Sequence, residues 1–304
     1  MKTPLIALVA SMALVSAAQA DTKFYGKMNV AVAYEDESEV FVVQSSASRL
    51  GVKGSEDLGT SKLIYKAEYE IAIDDGYGTN QSGADNDTNT LKPRDAYIGL
   101  AYNGMGSVKM GHMDTPLKKS QGKFDLFNDV VDIKNVLDGE NRMANSVNYT
   151  TEKMGSVQSS VSVILPEDGS SEGVSANVVY TEGAIYASVA LDNKVKGEAT
   201  QRVTMIYNLG DMKIGALVNN VDKTDTKGDE LGFAVIASMK MGVNTLKAQY
   251  ETGEQKTAGA SVLSLGVDHK LAKSTKAFAF FSQFSADDNT LKTTVLALGL
   301  EHKF

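Results

Sequence analysis

The 304-residue sequence contains no cysteine, no tryptophan and only four prolines. Without cysteine, neither a disulfide nor thiol chemistry can contribute to stability or function. Beyond residue 20, no apolar run reaches the roughly 20 residues that a membrane-spanning helix needs. Three prolines follow residue 20, and each lies where a strand end or a loop is predicted, as the missing N–H group requires: Pro93, Pro116 and Pro166.

The first twenty residues have the layout of a secretory signal peptide. Lys2 gives a positive start, an apolar run follows from Leu5 to Val15, and Ala18-Gln19-Ala20 ends the segment with small residues. The apolar run is too short to span a bilayer, which argues against a membrane anchor. We therefore predict cleavage after Ala20 and an exported domain over residues 21–304. Without disulfides, such a domain is expected to be held by a large hydrogen-bonded sheet.

The charge of the chain argues against one class of partner. The formal net charge is −8, and it becomes −9 once Lys2 leaves with the signal peptide. Nucleic-acid-binding domains carry a basic patch, so this acidic chain is not expected to bind nucleic acid. The total charge does not decide which ions a pore would conduct, because the charge at the narrowest point matters more.

Apolar and polar residues alternate in segments of about ten, which is the period of a β-strand and not of a helix. The last segment is the plainest case, with Leu296, Leu298, Leu300 and Phe304 on one face and Thr293, Gly299, Glu301 and Lys303 on the other. A soluble β-sandwich would alternate in the same way, so this pattern alone leaves the membrane question open.

The connections between the segments favour a transmembrane barrel. Sixteen strands are predicted, and short turns alternate along the chain with connections that are mostly longer, such as residues 74–91, 114–141 and 221–228. Bacterial outer-membrane barrels have this asymmetry, with short periplasmic turns and longer external loops. Closure of the sheet pairs every strand edge. In lipid, each backbone N–H or C=O group left unpaired at an open edge would cost several kcal/mol. Sixteen strands also leave an aqueous channel. The predicted starts are near residues 22, 39, 61, 93, 106, 143, 156, 173, 184, 201, 212, 229, 242, 260, 274 and 291.

Four stretches of the chain resemble the general diffusion porins of Gram-negative bacteria: 25–27 (YGK), 48–59 (SRLGVKGSEDLG), 94–100 (RDAYIGL) and 299–304 (GLEHKF). The resemblance implies an all-β fold, a 16-stranded antiparallel transmembrane β-barrel whose third external loop folds inward, and a homotrimer. The chain departs from the family pattern in three respects. Its first external loop is very short, it lacks tryptophan, and its third loop lacks the Pro-Glu-Phe-Gly stretch of the enterobacterial members.

The longest connection, Asp114–Asn141, is the candidate constriction loop. Its length favours a functional segment. Apolar residues that can dock it on the inner wall are interspersed with acids, namely Phe124, Leu126, Phe127 and Val130 with Asp125, Asp129, Asp132, Asp138 and Glu140.

The family pattern further implies a basic ladder on the barrel wall, with Lys27, Arg49, Arg94 and Arg142 as candidates and Lys53 as a further one. Strand alternation places Lys27, Arg49 and Lys53 on the lumen side, because each falls opposite apolar, lipid-side neighbours. The lumen is also the better place energetically, since an Arg facing the bilayer midplane would cost roughly 2–4 kcal/mol. We hypothesise that Asp125 and Asp129, with Asp132 beside them, form the acidic side of the constriction, and that the arginines form the basic side. The alternative is that these acids are solvated surface charges.

No metal, cofactor or enzymatic activity is predicted. Residues 85–89 open like a calcium loop, but Gly is missing at the sixth position and Ala96 stands where the bidentate Glu belongs. A solvated external loop is the simpler interpretation. The three histidines, His112, His269 and His302, lie on separate predicted strands without metal spacing. No serine nucleophile motif accompanies them.

The resemblance also implies that the final strand, with Leu300, His302 and Phe304, is recognised by the outer-membrane assembly machinery. A closing strand that needs a lipid-side face would carry the same residues, and the two interpretations are compatible.

We therefore predict an outer-membrane porin, exported through the periplasm and surrounded by lipid and lipopolysaccharide, that passes ions and small hydrophilic solutes. A general pore is favoured over a solute-specific one, because Phe278, Phe280 and Phe281 are grouped on one strand like a girdle and form no aromatic track. A structural or adhesive surface barrel remains the alternative.

Overall fold

The computed structural model describes residues 21–36, 39–74, 91–167, 172–223, 228–287 and 292–304. The predicted signal peptide and the calcium-like segment at residues 85–89 lie outside these ranges. The described strands are β1 (Asp21–Glu35), β2 (Val40–Ser45), β3 (Arg49–Asp57), β4 (Lys62–Ile71), β5 (Leu91–Tyr102), β6 (Gly106–Asp114), β7 (Arg142–Thr150), β8 (Val157–Ile164), β9 (Gly173–Glu182), β10 (Ile185–Val195), β11 (Glu198–Leu209), β12 (Met212–Lys223), β13 (Gly228–Met241), β14 (Asn244–Gly253), β15 (Ala260–Ala272), β16 (Thr275–Ser285) and β17 (Lys292–Lys303).

Consecutive strands pair antiparallel, except that β2 and β3 do not pair with each other, and β17 closes the sheet by pairing with β1. Both β2 and β3 pair with the same side of β1, β2 with its second half and β3 with its first. They are one barrel strand interrupted at Ser46-Ala47-Ser48, where Ala47 adopts a positive φ of 49°. The seventeen extended segments therefore make a closed 16-stranded antiparallel barrel, as predicted, and each predicted strand start lies within three residues of the observed one.

The two faces of the barrel differ as the alternation predicted. On β17, Leu296, Leu298 and Leu300 point outward and are 51–69% exposed. On β13, exposed and buried residues alternate from Leu231 to Ala237. Polar residues are frequent among the inward positions. This is the arrangement expected when one face of a sheet meets lipid and the other lines an aqueous channel.

One prediction about the aromatic residues is wrong. Phe278 and Phe280 share a face of β16 with Lys276 and are only 7% exposed, so they point into the barrel and are not part of an outer girdle. They join an internal apolar cluster described below. Phe281, one position on, faces the other way, because successive side chains of a strand alternate between its faces.

The connections mostly follow the predicted short–long alternation. Gly183, Gly210 and Gly242 each adopt a positive φ of 55–62° in the tight turns, a conformation that costs glycine little. On the opposite end of the barrel, β10 and β11 are joined by Lys196-Gly197 alone, a shorter loop than the alternation suggested. Among the described residues, none of the helices has the length and apolar character needed to cross a bilayer.

The connection between β6 and β7, residues 115–141, is called loop L3 below. It contains a short helix α1 (Pro116–Lys119) and a 3-10 turn (Ile133–Asn135). Thr115 caps α1 by accepting a hydrogen bond from the Lys118 N–H group, and Pro116 occupies the first turn, where its missing N–H has no helical partner to lose. Loop L3 contacts the inward side chains of the barrel, so it lies inside the lumen.

Candidate functional site

The first part of loop L3 is held by small polar side chains of the inner wall. The Pro116 carbonyl accepts a hydrogen bond from Asn177 at 2.7 Å. The Ser120 carbonyl accepts two, from the Ser188 hydroxyl at 2.6 Å and the Tyr186 hydroxyl at 2.8 Å. These bonds satisfy loop backbone groups that would otherwise be buried without partners.

Apolar side chains of loop L3 insert into the wall of β11–β17 and β1. Phe124, Ile133 and Leu137 are fully buried, and the ring of Phe127 packs edge-on against Phe280, with centroids 6.3 Å apart. Burying one such side chain stabilises docking by about 1.5–3 kcal/mol. The sequence correctly predicted Phe124 and Phe127 as docking residues.

Glycines on the inner wall form the sockets for two of these side chains. A Cβ atom added at Gly266 would lie 2.8 Å from the ring of Phe127, and one added at Gly232 would lie 2.5 Å from Leu137 Cδ2. Any larger residue would displace the loop side chain. These sockets were not predicted from the sequence, although inward-facing glycines within strands are a signal of close approach by another segment.

The end of loop L3 is anchored by a buried arginine. The Arg202 guanidinium donates to Glu140 Oε1 at 2.5 Å, to the Asp138 carbonyl at 2.7 Å and to Asn219 Oδ1 at 3.0 Å. Burial raises the pKa of Glu140, and the adjacent Arg202 opposes that rise. Gln255, from the loop between β14 and β15, accepts from the Asp138 N–H group at 2.8 Å. Neither Arg202 nor Gln255 was predicted as a site residue.

Asp125 faces the loop and the wall behind it. Its carboxylate accepts hydrogen bonds from the N–H groups of Phe127 at 3.0 Å and Ile133 at 3.1 Å, and from the Gln249 amide at 3.1 Å. Burial, with the Asp132 carboxylate nearby, raises the pKa of Asp125 well above its usual range. Asp132 itself caps the 3-10 turn by accepting from the Lys134 N–H group. The structure does not bring Asp125 or Asp132 together with the predicted basic residues.

Asp129 is the acid of loop L3 that meets the predicted basic ladder. Its carboxylate lies 2.5 Å from Lys27 Nζ and 3.6 Å from Arg49. Burial alone would raise the pKa of Asp129, but Lys27 and Arg49 hold it below its ordinary value. Asp129 has a φ of 73°, an uncommon conformation for a residue with a side chain. The loop tip is therefore fastened to β1 by a largely buried ion pair.

The wall formed by β3–β7, called the open wall below, carries the other predicted basic residues. Arg94 donates to Glu68 at 2.9 Å and to Glu70 at 2.5 Å. Arg142 lies 3.2 Å from Asp95 and 2.9 Å from Asp114. A β-bulge opposite Glu68 lets adjacent Arg94 and Asp95 both face the lumen. None of the four acids of this wall was predicted as a site residue.

The surface that loop L3 leaves exposed is basic or neutral. Lys134 has 63% of its side chain exposed and lies 4.0 Å from Asp132. Lys119 interacts electrostatically with Asp95, Lys66 and Arg142 of the open wall. The five acids of the loop are all buried or half-buried, while its exposed residues are Lys119, Gly122, Lys123, Asn128, Lys134 and Asn135.

Comparison with known proteins identifies the family to which this chain belongs. The model of the Gram-negative porin family matches residues 5–289. The chain belongs to the Gram-negative porins. Outer membrane porin protein 32 of Delftia acidovorans is 29% identical to this porin over 315 aligned residues, which cover 90% of this chain and 87% of the relative.

Two solved porins share the fold. The anion-selective porin from Comamonas acidovorans superposes with a TM-score of 0.76 at 22% identity, covering 94% of this chain and all of that one. OmpF of Salmonella typhi, in a complex with daunomycin, gives 0.77 at 14% identity, with 93% and 97% covered.

This porin is an outer-membrane channel for the passive diffusion of small solutes. Family membership indicates a channel and not an enzyme. Among the described residues, no group of histidine and acidic side chains is arranged to hold a metal ion. The last strand places Leu300 and Phe304 outward, both 57% exposed, and His302 stacks on Phe304 with ring centroids 6.2 Å apart.

Proposed function

We propose that this porin passes small anions in preference to cations, through a passage narrowed by loop L3. The observation that carries the proposal is the orientation of the loop. Its exposed surface presents Lys119, Lys123 and Lys134, while its acids face the wall or, in the case of Asp129, pair with Lys27. The porin from Comamonas acidovorans, which shares the fold, is anion-selective by its name.

The open wall reinforces this preference. Its acids are each engaged by a cation, with Glu68 and Glu70 on Arg94 and Asp95 and Asp114 on Arg142. The ammonium of Lys53 lies over the ring of Tyr25 at 5.0 Å, and that of Lys109 over Tyr97 at 5.3 Å. Because rings of charge at the narrowest point govern selectivity, a permeating ion meets more accessible ammonium groups than accessible carboxylates.

The proposal changes the charge assignment that the sequence suggested. Asp125 and Asp132 serve loop structure, and Asp129 neutralises Lys27 and Arg49 where the loop tip meets the wall. We infer that Lys119, opposite Arg142 and Asp95, marks one side of the narrow zone and the open wall the other. Polar solutes that carry negative charge gain most from this arrangement.

The test is the reversal potential of single channels in a KCl gradient. The wild type is expected to favour chloride. In the variant Lys119→Gln with Lys134→Gln, the permeability ratio should move toward potassium by roughly fourfold per charge, since a unit charge about 10 Å away in water contributes about 0.4 kcal/mol for each ion, with opposite signs for chloride and potassium.

The matched control is Lys196→Gln, which removes a charge from the short loop between β10 and β11. Its reversal potential should stay at the wild-type value. A wild type that favours potassium, or a double variant with unchanged selectivity, contradicts the proposal.

We further infer a homotrimer, cleavage of residues 1–20 on export, contact with lipopolysaccharide, and recognition of Leu300, His302 and Phe304 by the assembly machinery. A trimer form of OmpT of Vibrio cholerae, which shares the fold at 17% identity, supports the first. The outward, exposed placement of Leu300 and Phe304 supports the last. Native mass spectrometry of the folded protein tests both the trimer and the cleavage.

A further inference from the structure

A recess opens in the lumen beneath loop L3, at the end of the barrel that bears the tight turns. Its volume is about 460 Å³. Its floor is the loop segment 121–128, and its sides come from the turn-proximal ends of β12, β13 and β14. In bacterial outer-membrane barrels this end faces the periplasm.

Four lysines line this recess: Lys123 from loop L3, Lys213 from β12, Lys240 from β13 and Lys247 from β14. Lys213 Nζ donates to the Lys123 carbonyl at 3.1 Å, which keeps the two residues side by side. Lys247 Nζ donates to the Leu126 carbonyl at 3.1 Å and lies over the Phe127 ring. Two of the four ammonium groups, those of Lys213 and Lys247, are therefore positioned by contacts that also dock the loop.

The acids of the recess offset only part of this charge. Asp268 is shared, lying 2.9 Å from Lys247 and 3.0 Å from Lys276 of the neighbouring strand. Asp125 also lines the recess, but its oxygens accept hydrogen bonds from loop N–H groups and from Gln249. The ammonium groups of Lys123, Lys213 and Lys240 face like charges across a recess that also presents the hydroxyls of Ser238 and Thr245.

We propose that this recess binds a multiply charged oxyanion of the phosphate class, either free or as the phosphate group of a small solute. Each ammonium supplies three hydrogen-bond donors and a compact positive charge, which suits the tetrahedral oxygens of phosphate. The hydroxyls of Ser238 and Thr245 can donate to further oxygens. The volume exceeds that of several water molecules, so a solute larger than inorganic phosphate also fits.

Saturable binding in the recess can be measured separately from the ion selectivity of the pore as a whole. A pore can favour anions without holding one, and a local site can hold phosphate in a pore of either selectivity. The reversal potential in KCl therefore reports the proposed function, and concentration-dependent block by phosphate compounds reports the recess.

The experiment uses the full folded porin in a planar bilayer, with inorganic pyrophosphate, inorganic phosphate or glucose 6-phosphate added to each compartment in turn. Saturable current block is expected, strongest for pyrophosphate and stronger from the turn side. In Lys213→Gln with Lys240→Gln, the half-blocking concentration should rise at least about tenfold, equivalent to about 1.4 kcal/mol.

The control variant is Lys273→Gln, which removes a lysine from the tight turn between β15 and β16 at the same end of the barrel. Its half-blocking concentration should stay within about twofold of wild type, as expected for a distant screened charge. The proposal is overturned if block by phosphate compounds does not saturate. It is also overturned if the recess variant and the turn variant weaken the block equally. Block by free phosphate but not by the sugar phosphate assigns the recess to the free ion. Heat-modifiable migration on gels confirms that every variant is folded.

Discussion

The inner surface of this barrel has two halves that face the same lumen with different chemistry. The wall of β9–β17 presents amides, hydroxyls and glycines to loop L3, including Asn177, Ser188, Asn219 and Gln249. The open wall presents paired charges, of which Arg94 with Glu68 and Arg142 with Asp95 are examples.

The difference shows how one strand pattern can serve two purposes. Uncharged polar groups can be buried cheaply when each finds a hydrogen-bond partner, so they suit a wall that a loop covers. Paired charges are costly to bury but remain favourable where water reaches them, so they suit the wall that lines the passage. Arg202, which is fully buried under the loop and paired with Glu140, departs from this division, as do the buried carboxyl groups of Asp192 and Glu251.

The largest expected effect comes from Arg202→Met. The change leaves the buried Glu140 carboxylate without its cation, which costs roughly 3–5 kcal/mol. The end of loop L3 should undock, and trypsin should cleave after Lys134 in the folded barrel. Mass spectrometry of the digest measures the cleavage. Arg202→Met with Glu140→Met should restore much of the protection, and a double variant as sensitive as the single one would show that the pair is not the anchor.

Phe127→Ala tests the apolar part of the loop-bearing wall. It empties the socket at Gly266 and should weaken docking by about 3 kcal/mol. Hydrogen exchange of residues 121–137, followed by mass spectrometry, should accelerate accordingly. Phe41→Ala is the matched control, because the Phe41 ring is 76% exposed on the outer face. Equal acceleration in both variants would mean that the loop does not depend on its socket.

The pH dependence of docking follows from the burial of Asp125. Its pKa in the docked loop lies above the value in the undocked loop, so docking is most stable at low pH. Stability should fall by up to about 1.4 kcal/mol per unit as pH rises through the interval between the two values. Hydrogen exchange of residues 121–137 between pH 5 and 8, corrected for intrinsic rates, measures this slope.

Asp125→Asn should flatten that slope, leaving the part due to Glu140, whose pKa burial also raises. Asp129 has the opposite effect on docking stability, because its pKa is lowered in the docked loop. Its stabilising ion pair is intact at neutral pH and is lost only as the pH falls below the ordinary aspartate range. An unchanged slope in Asp125→Asn would exclude this carboxyl as the source.

The smallest expected effect separates two acids that the sequence treats alike. Asp129→Asn frees Lys27 and Arg49 and should shift the permeability ratio toward chloride by about fourfold, from Coulomb's law at roughly 10 Å in water acting with opposite signs on the two ions. Asp125→Asn, whose carboxylate is bonded within the loop, should leave the reversal potential unchanged. Equal shifts of the reversal potential in the two variants would mean that both Asp125 and Asp129 belong to the acidic side of the constriction.

The barrel was predictable from the order of amino acids alone. Strict alternation and the tight turns predicted sixteen antiparallel strands and their starting points. They could do so because the two-residue period of a strand makes each side chain face either the lipid or the lumen. The sequence also identified loop L3 and its docking residues Phe124 and Phe127, since a long loop with apolar residues needs a surface to cover them.

The orientation of each side chain of loop L3 depends on the parts of the folded barrel that surround it. The irregular backbone of loop L3 has no period from which orientation can be read, so Asp125 and Asp129 look equivalent in the sequence. Their partners, Gln249 and Lys27, lie more than a hundred residues away along the chain. The same holds for the lysine recess and the glycine sockets. Each is formed by residues from separate strands that barrel closure brings beside the loop, and closure is a property of the whole sheet.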